Sequence, residues 1–314
     1  MERFLRCRFP ERAARAATVV TVALSTVGVR DARAQACCAG AGTLAPVRLA
    51  EEERWAAALV LRGSSQLGQW DGEGRWTGSP EGSAELGMEQ QLAIALRWAP
   101  GWQGSLLLPW VETWRRVPGL SDAGTGLGDV RLGVRWDLVA PGEWEGLPGA
   151  ALLMGASLPT GRSAEQARQP LGADGTGLGT TTVQAGLALE QTHGHLLWQA
   201  SGQAQYSADR AIGPLRVSFG PQLLAQAALG WAFDSSAGLA LTASVRHDLP
   251  SSADGAEVAG SGRTLTSVGL AAGLPLARGW RLQASLGAPV AADGWARSSL
   301  GLASFGVSLL ALGY

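Results

Sequence analysis

The chain has 314 residues, of which 16% are charged and 46% hydrophobic, with 44 Gly and 13 Trp. A formal net charge of −1 excludes the broad cationic footprint of a general nucleic-acid binder, so no nucleic-acid partner is expected. No internal run reaches the ~18 apolar residues of a spanning helix, which leaves strands as the only way this composition could cross a membrane.

In chain order, residues 1–34 read as a secretory signal peptide. Arg3, Arg6, Arg8, Arg12 and Arg15 form a basic n-region, Ala16 to Val29 an apolar h-region, and Ala32-Arg33-Ala34 a small-x-small cleavage site. Residues 35–51 then form a short N-terminal segment expected in the periplasm. It carries the adjacent cysteines Cys37 and Cys38, whose spacing suits neither a mutual disulfide nor a metal site.

Residues 52–314 repeat one theme: a period-two segment, a long polar loop, another such segment, a tight turn. Asp129 to Leu138 is the clearest strand. Val130, Leu132, Val134, Trp136 and Leu138 share one face, and Asp129, Arg131, Gly133, Arg135 and Asp137 the other. Strands are expected at 53–68, 85–98, 103–116, 126–139, 149–158, 180–191, 196–206, 216–233, 238–248, 263–275, 280–288 and 297–314. Short connections fall near 99–102, 140–148, 192–195, 234–237 and 277–280. Long Gly/Ser/Asp-rich ones fall near 69–84, 117–125, 159–179, 207–215, 249–262 and 289–296. Strict alternation of short and long connections over an even strand number predicts an all-β fold: a transmembrane antiparallel up-and-down β-barrel of about 12 strands.

Trp98, Trp102, Trp136, Trp144, Trp231, Trp280 and Tyr314 lie at the short-turn ends, and Trp70, Trp76, Trp114 and Trp295 toward the long loops. Two interfacial girdles would be placed this way. The last strand ends in Tyr314, the kind of terminus that barrel-assembly machinery recognises. Its apolar residues change face, from Phe305, Val307 and Leu309 to Leu310, Leu312 and Tyr314, and a bulge there would reconcile them.

GTGLG occurs at 124–128 and again at 175–179. Without a following helix or any Lys, these glycines suit loop geometry rather than phosphate binding. The three histidines are His193, His195 and His247. A His-Gly-His turn is a weak metal site, and a Ser/His/Asn hydrolase arrangement lacks its Asn, so no enzyme, metal or cofactor is expected. Alternation places Asp129, Arg131, Arg135, Asp137, Glu190, Gln199, Gln203, Gln222, Gln226, Arg246, Asp248 and Arg281 on the lumen face, together with Gln205 and Gln283. Such a set either neutralises itself as a polar interior or selects solutes as a pore lining.

GLGDVRLGVRWDL at 126–138, MGASLPTGR at 154–162 and GLALEQ at 186–191 resemble the outer-membrane proteins named for the MetA pathway of phenol degradation. The resemblance covers most of the chain after residue 50. It implies a barrel and uptake of small or aromatic compounds, and it transfers no catalytic residue. The expectation is an outer-membrane channel for small solutes, exported through the periplasm. The rival is a non-conducting surface barrel that works through its loops.

Overall fold

The computed structural model describes residues 48–144 and 146–314. The signal peptide, both adjacent cysteines and residues 35–47 lie outside them. Twelve long strands form one closed antiparallel sheet. They are β1 (Trp55–Trp70), β2 (Ala84–Ala99), β3 (Trp102–Val117), β4 (Val130–Val139), β5 (Gly149–Leu158) and β6 (Thr182–His193). The chain continues through β7 (Leu196–Ser207), β8 (Gln222–Ala232), β9 (Gly238–Asp248), β10 (Arg263–Ala277), β11 (Trp280–Pro289) and β12 (Ser299–Gly313).

Each strand pairs with its sequence neighbours, and β1 pairs β12 from Trp55↔Gly313 to Trp70↔Ser299, which closes the barrel. Closure leaves no terminal edge among the twelve long strands, so backbone donors and acceptors along their ladders are paired within the wall. The turns at Pro100–Gly101 and Arg278–Gly279 show how the short end is made. Gly101 (φ 73°) and Gly279 (φ 77°) take the left-handed position, and each ladder slips by one residue beside them.

Strand alternation sorts the two surfaces. On β4, Leu132 and Trp136 are exposed on the outside, whereas Arg135 is buried inside. Leu239, Leu241 and Val245 of β9 and Leu223, Leu229 and Trp231 of β8 likewise cover the outer surface. An outer band this apolar and continuous is one that water does not solvate well.

Five expectations need correction. The strand expected at 216–233 begins only at Gln222. Leu215–Ser218 leaves the wall and joins Arg210–Ile212, Ser252–Ala253 and Ala256–Glu257 in a small sheet built from two long loops. Gly220 makes the break: a Cβ there would lie 2.0 Å from the carbonyl oxygen of Leu249. The long loop expected at 117–125 is instead a hairpin, because Leu120–Leu127 pairs the upper half of β3. For the same reason β4 starts at Val130 rather than 126. Pro109 has no N–H for the ladder at this point, and only the Gly128 N–H reaches its carbonyl (2.8 Å).

The last two concern exposure and faces. Trp70 is not an exposed ring: it is 3% exposed, donates to Ala292 O at 3.0 Å and is covered by Trp76. The terminal strand has no bulge in its pairing with β11. Phe305, Val307 and Leu309 face out throughout, and Leu310 and Leu312 face in. Their apolar character serves an internal cluster at the short-turn end, with Ala56, Ala58, Ala93 and Ala95.

Candidate functional site

Cavities lie at three levels of the lumen. The upper chamber holds about 450 Å³, a mid-level cleft about 130 Å³, and a gap beside Arg48 at the bottom about 20 Å³.

The bottom is filled by residues 48–53, the described start of the chain. Leu49 is 1% exposed and lies against Ala56, Ala95 and Leu312, so the alanines on the inner faces of β1 and β2 make room for it. Its N–H donates to Gln103 Oε1 (2.9 Å), and Arg97 donates to the carbonyls of Leu49 and Ala50 (both 3.0 Å). Glu53 accepts the Ala50 N–H at 2.7 Å and pairs with Arg281 at 3.4 Å.

Arg48 reaches Glu190 at 2.7 Å. Glu190 also pairs with Arg135 at 2.6 Å, and Arg135 with Asp137 at 2.6 Å. Two cations and two carboxylates thus neutralise one another where water is scarce, as buried charge requires.

The long-loop end is capped by the segment 159–179, and its anchors are carboxylates. Asp129 accepts the N–H groups of Gly161 (2.9 Å) and Leu178 (2.7 Å). Asp122 accepts that of Leu171. Asp174 accepts those of Arg168 and Gln169 and pairs with Arg162 at 2.6 Å. The two GTGLG runs meet here. A Cβ on Gly124 would stand 2.4 Å from the Asp174 backbone, and one on Gly177 would stand 2.3 Å from Asp129 Oδ1. The repeated glycines therefore allow two loops to touch backbone to backbone.

The Arg168 and Gln169 N–H groups, then the Arg162 guanidinium, hold the Asp174 carboxyl down to about 2. Its ordinary value is 3.8. A depressed carboxylate stabilises the fold above its unfolded value and loses that contribution as pH falls through the folded one. The tether is therefore complete above about pH 4 and gone near pH 2. Asp174→Asn is expected to free the segment at neutral pH. Trypsin should then cut after Arg162 or Arg168 severalfold faster than in the unaltered protein, and an equal rate would refute the tether.

The residues expected on the lumen face distribute as follows. Arg131, Gln203, Gln222 and Arg246 line the upper chamber, and Asp248 pairs with Arg246 and Arg263 at its rim. Gln226 and Gln199 line the cleft below. Arg135, Asp137, Glu190 and Arg281 hold the bottom. Asp129 sits in the link before β4, committed to backbone N–H groups of the cap. Of the histidines, His247 lies on the outer face bonded to Thr264, and His195 stacks on Trp231. Among the described residues no three His, Cys, Asp or Glu side chains gather as a metal would need.

Several lumen residues were missed. Glu89, Gln91 and Arg97 alternate on β2 with outward Leu92, Ile94, Leu96 and Trp98, but inward Ala93 and Ala95 hide the pattern. Glu89 pairs with Arg131 at 3.2 Å and accepts from Gln91.

A family model described as the putative MetA-pathway of phenol degradation matches residues 71–305. The chain belongs to this family. No curated protein matches it in sequence. Among solved structures, the COG4313 outer membrane channel from Pseudomonas putida F1 is similar at a TM-score of 0.70 and 14% identity, over 87% of this chain and 98% of that one. The NanC porin gives 0.47 at 10% identity, over 82% and 100%. The translocator domain of the autotransporter NalP from Neisseria meningitidis gives 0.45 at 12%, over 96% and 95%. At such identities the likeness is one of fold. This family member, a closed twelve-stranded barrel, thus shares its fold with the Pseudomonas channel.

Proposed function

We propose that the chain is an outer-membrane channel for passive passage of small solutes, aromatic or hydrophobic ones among them. The observation that carries this is a closed barrel with an apolar outside and a polar lumen that widens to about 450 Å³. Lipid would cover the outer band, because a closed sheet leaves no backbone group unpaired in hydrocarbon. Export through the periplasm, and insertion by assembly machinery reading the strand that ends in Tyr314, complete the reading. The Pseudomonas neighbour described as an outer membrane channel supports it.

The test is single-channel recording of the refolded mature chain in planar bilayers. Discrete current steps are expected. Arg131→Ala should shift the reversal potential in a KCl gradient toward cation preference, since it removes a lumen cation paired with Glu89. The second reading, a non-conducting surface barrel, draws on the segment 48–53 that fills the lower mouth. A folded, inserted protein that stays silent after that segment is displaced would establish it.

A further inference from the structure

The upper chamber has more hydrogen-bond donors than it can use. Its carboxylates are already occupied. Glu89 accepts from Arg131 and Gln91, Asp129 from two backbone N–H groups, and Asp248 from Arg246 and Arg263. The donors are not. Each guanidinium carries five N–H groups, yet among the described residues Arg131 pairs with Glu89, Arg263 with Asp248, and Arg246 spends two bonds on Asp248. Gln203 is 9% exposed and lines the chamber, and its Nε2, itself covered, has no hydrogen-bond partner among the described residues, so the amide must turn toward the chamber to reach a guest. A buried amide nitrogen left this way is costly unless something accepts from it.

Placement is as informative as number. Gln203, Leu224 and Arg246 are direct cross-strand neighbours on β7, β8 and β9, all facing inward. Adjacent partners in such a row stand ~5 Å apart at Cβ. An amide and a guanidinium therefore flank one leucine at the reach of a small molecule. Pro109, Val111 and Leu178 add an apolar wall to the same chamber. Its volume falls within the usual ~300–1,000 Å³ of a small-molecule site.

We propose that the upper chamber binds a small monocarboxylate with a compact apolar body. The carboxylate accepts from Arg246 and Gln203, and the body lies against Leu224 and the apolar wall. This deepens the channel reading by naming the class of solute, and it rests on that reading for its biological meaning.

The test is isothermal titration of the refolded barrel with hexanoate. Hexanamide serves as the uncharged counterpart and inorganic phosphate as an anion without an apolar body. Single-channel recording is run on the same preparations. Hexanoate should bind at least about tenfold tighter than either comparison, and Arg246→Gln should weaken it about tenfold or more, as loss of a charged hydrogen bond implies. Gln203→Leu should weaken it by a smaller factor, and Arg246→Lys should fall between Arg246→Gln and the unaltered chain. Arg246 is half-exposed, and Arg263 still holds Asp248 in its absence, so these variants keep the barrel. Equal binding of hexanamide or phosphate, or unchanged affinity in Arg246→Gln, would overturn the site. Current steps without hexanoate binding would sink the site and spare the channel. Binding without current would do the reverse.

Discussion

Replacing Arg135 by alanine is expected to cost roughly 3–5 kcal/mol of folding stability, because it strands carboxylates that the barrel interior cannot hydrate. Arg135 is 5% exposed and joins Asp137 to Glu190, which is itself 3% exposed. Without it Asp137 has no cation, and Glu190 keeps only Arg48. Breaking a buried pair costs more than deleting it whole. Arg135→Met combined with Glu190→Gln should therefore recover part of the loss. Urea titration of the refolded barrel in lipid, run as a double-mutant cycle, measures both effects. If Arg135→Ala cost below about 1 kcal/mol, as a solvated surface pair would, the network would have to be in contact with water.

The strands and their faces were legible because one physical rule governs each: alternation. Val130 to Leu138 and Leu239 to Asp248 have mostly large apolar side chains outside and charged, hydroxyl-bearing or small ones inside, so period two reads cleanly. The sorting of short and long connections was legible for a similar reason, since tight turns leave a brief Gly-containing mark. What escaped were residues whose role is set across the barrel rather than along a strand. Ala93 and Ala95 look like ordinary apolar positions, and only the seated Leu49 explains why they are small. Trp70 resembles its girdle neighbours in sequence but is covered by Trp76 and donates to Ala292, 222 residues away. Leu310 and Leu312 follow the even inward face of β12, and their hydrophobicity belongs to the filled lower mouth. Most lumen charges were found individually, though Glu89 and Arg97 were not. Their division into an upper set with donors to spare, a neutral cleft and a closed lower network needed the register of all twelve strands.

Displacing residues 48–53 is expected to raise single-channel conductance severalfold, because the narrowest point of a pore limits its current. Among the described residues this segment fills the lower mouth, where a gap of about 20 Å³ remains beside Arg48, Leu197, Gln199, Gly230 and Ala240. The segment is held by contacts that two substitutions can undo. Leu49→Glu places an unpaired charge among Ala56, Ala95 and Leu312. Arg97→Ala removes both donors to the Leu49 and Ala50 carbonyls. Neither change touches the upper chamber, so solute selectivity should stay put while conductance grows. Planar-bilayer recording of the double variant beside the unaltered chain separates the possibilities. Larger steps at constant selectivity mean the segment is the constriction. Steps of unchanged size would mean that ions already pass it, and the constriction would have to lie higher, under the cap formed by residues 159–179.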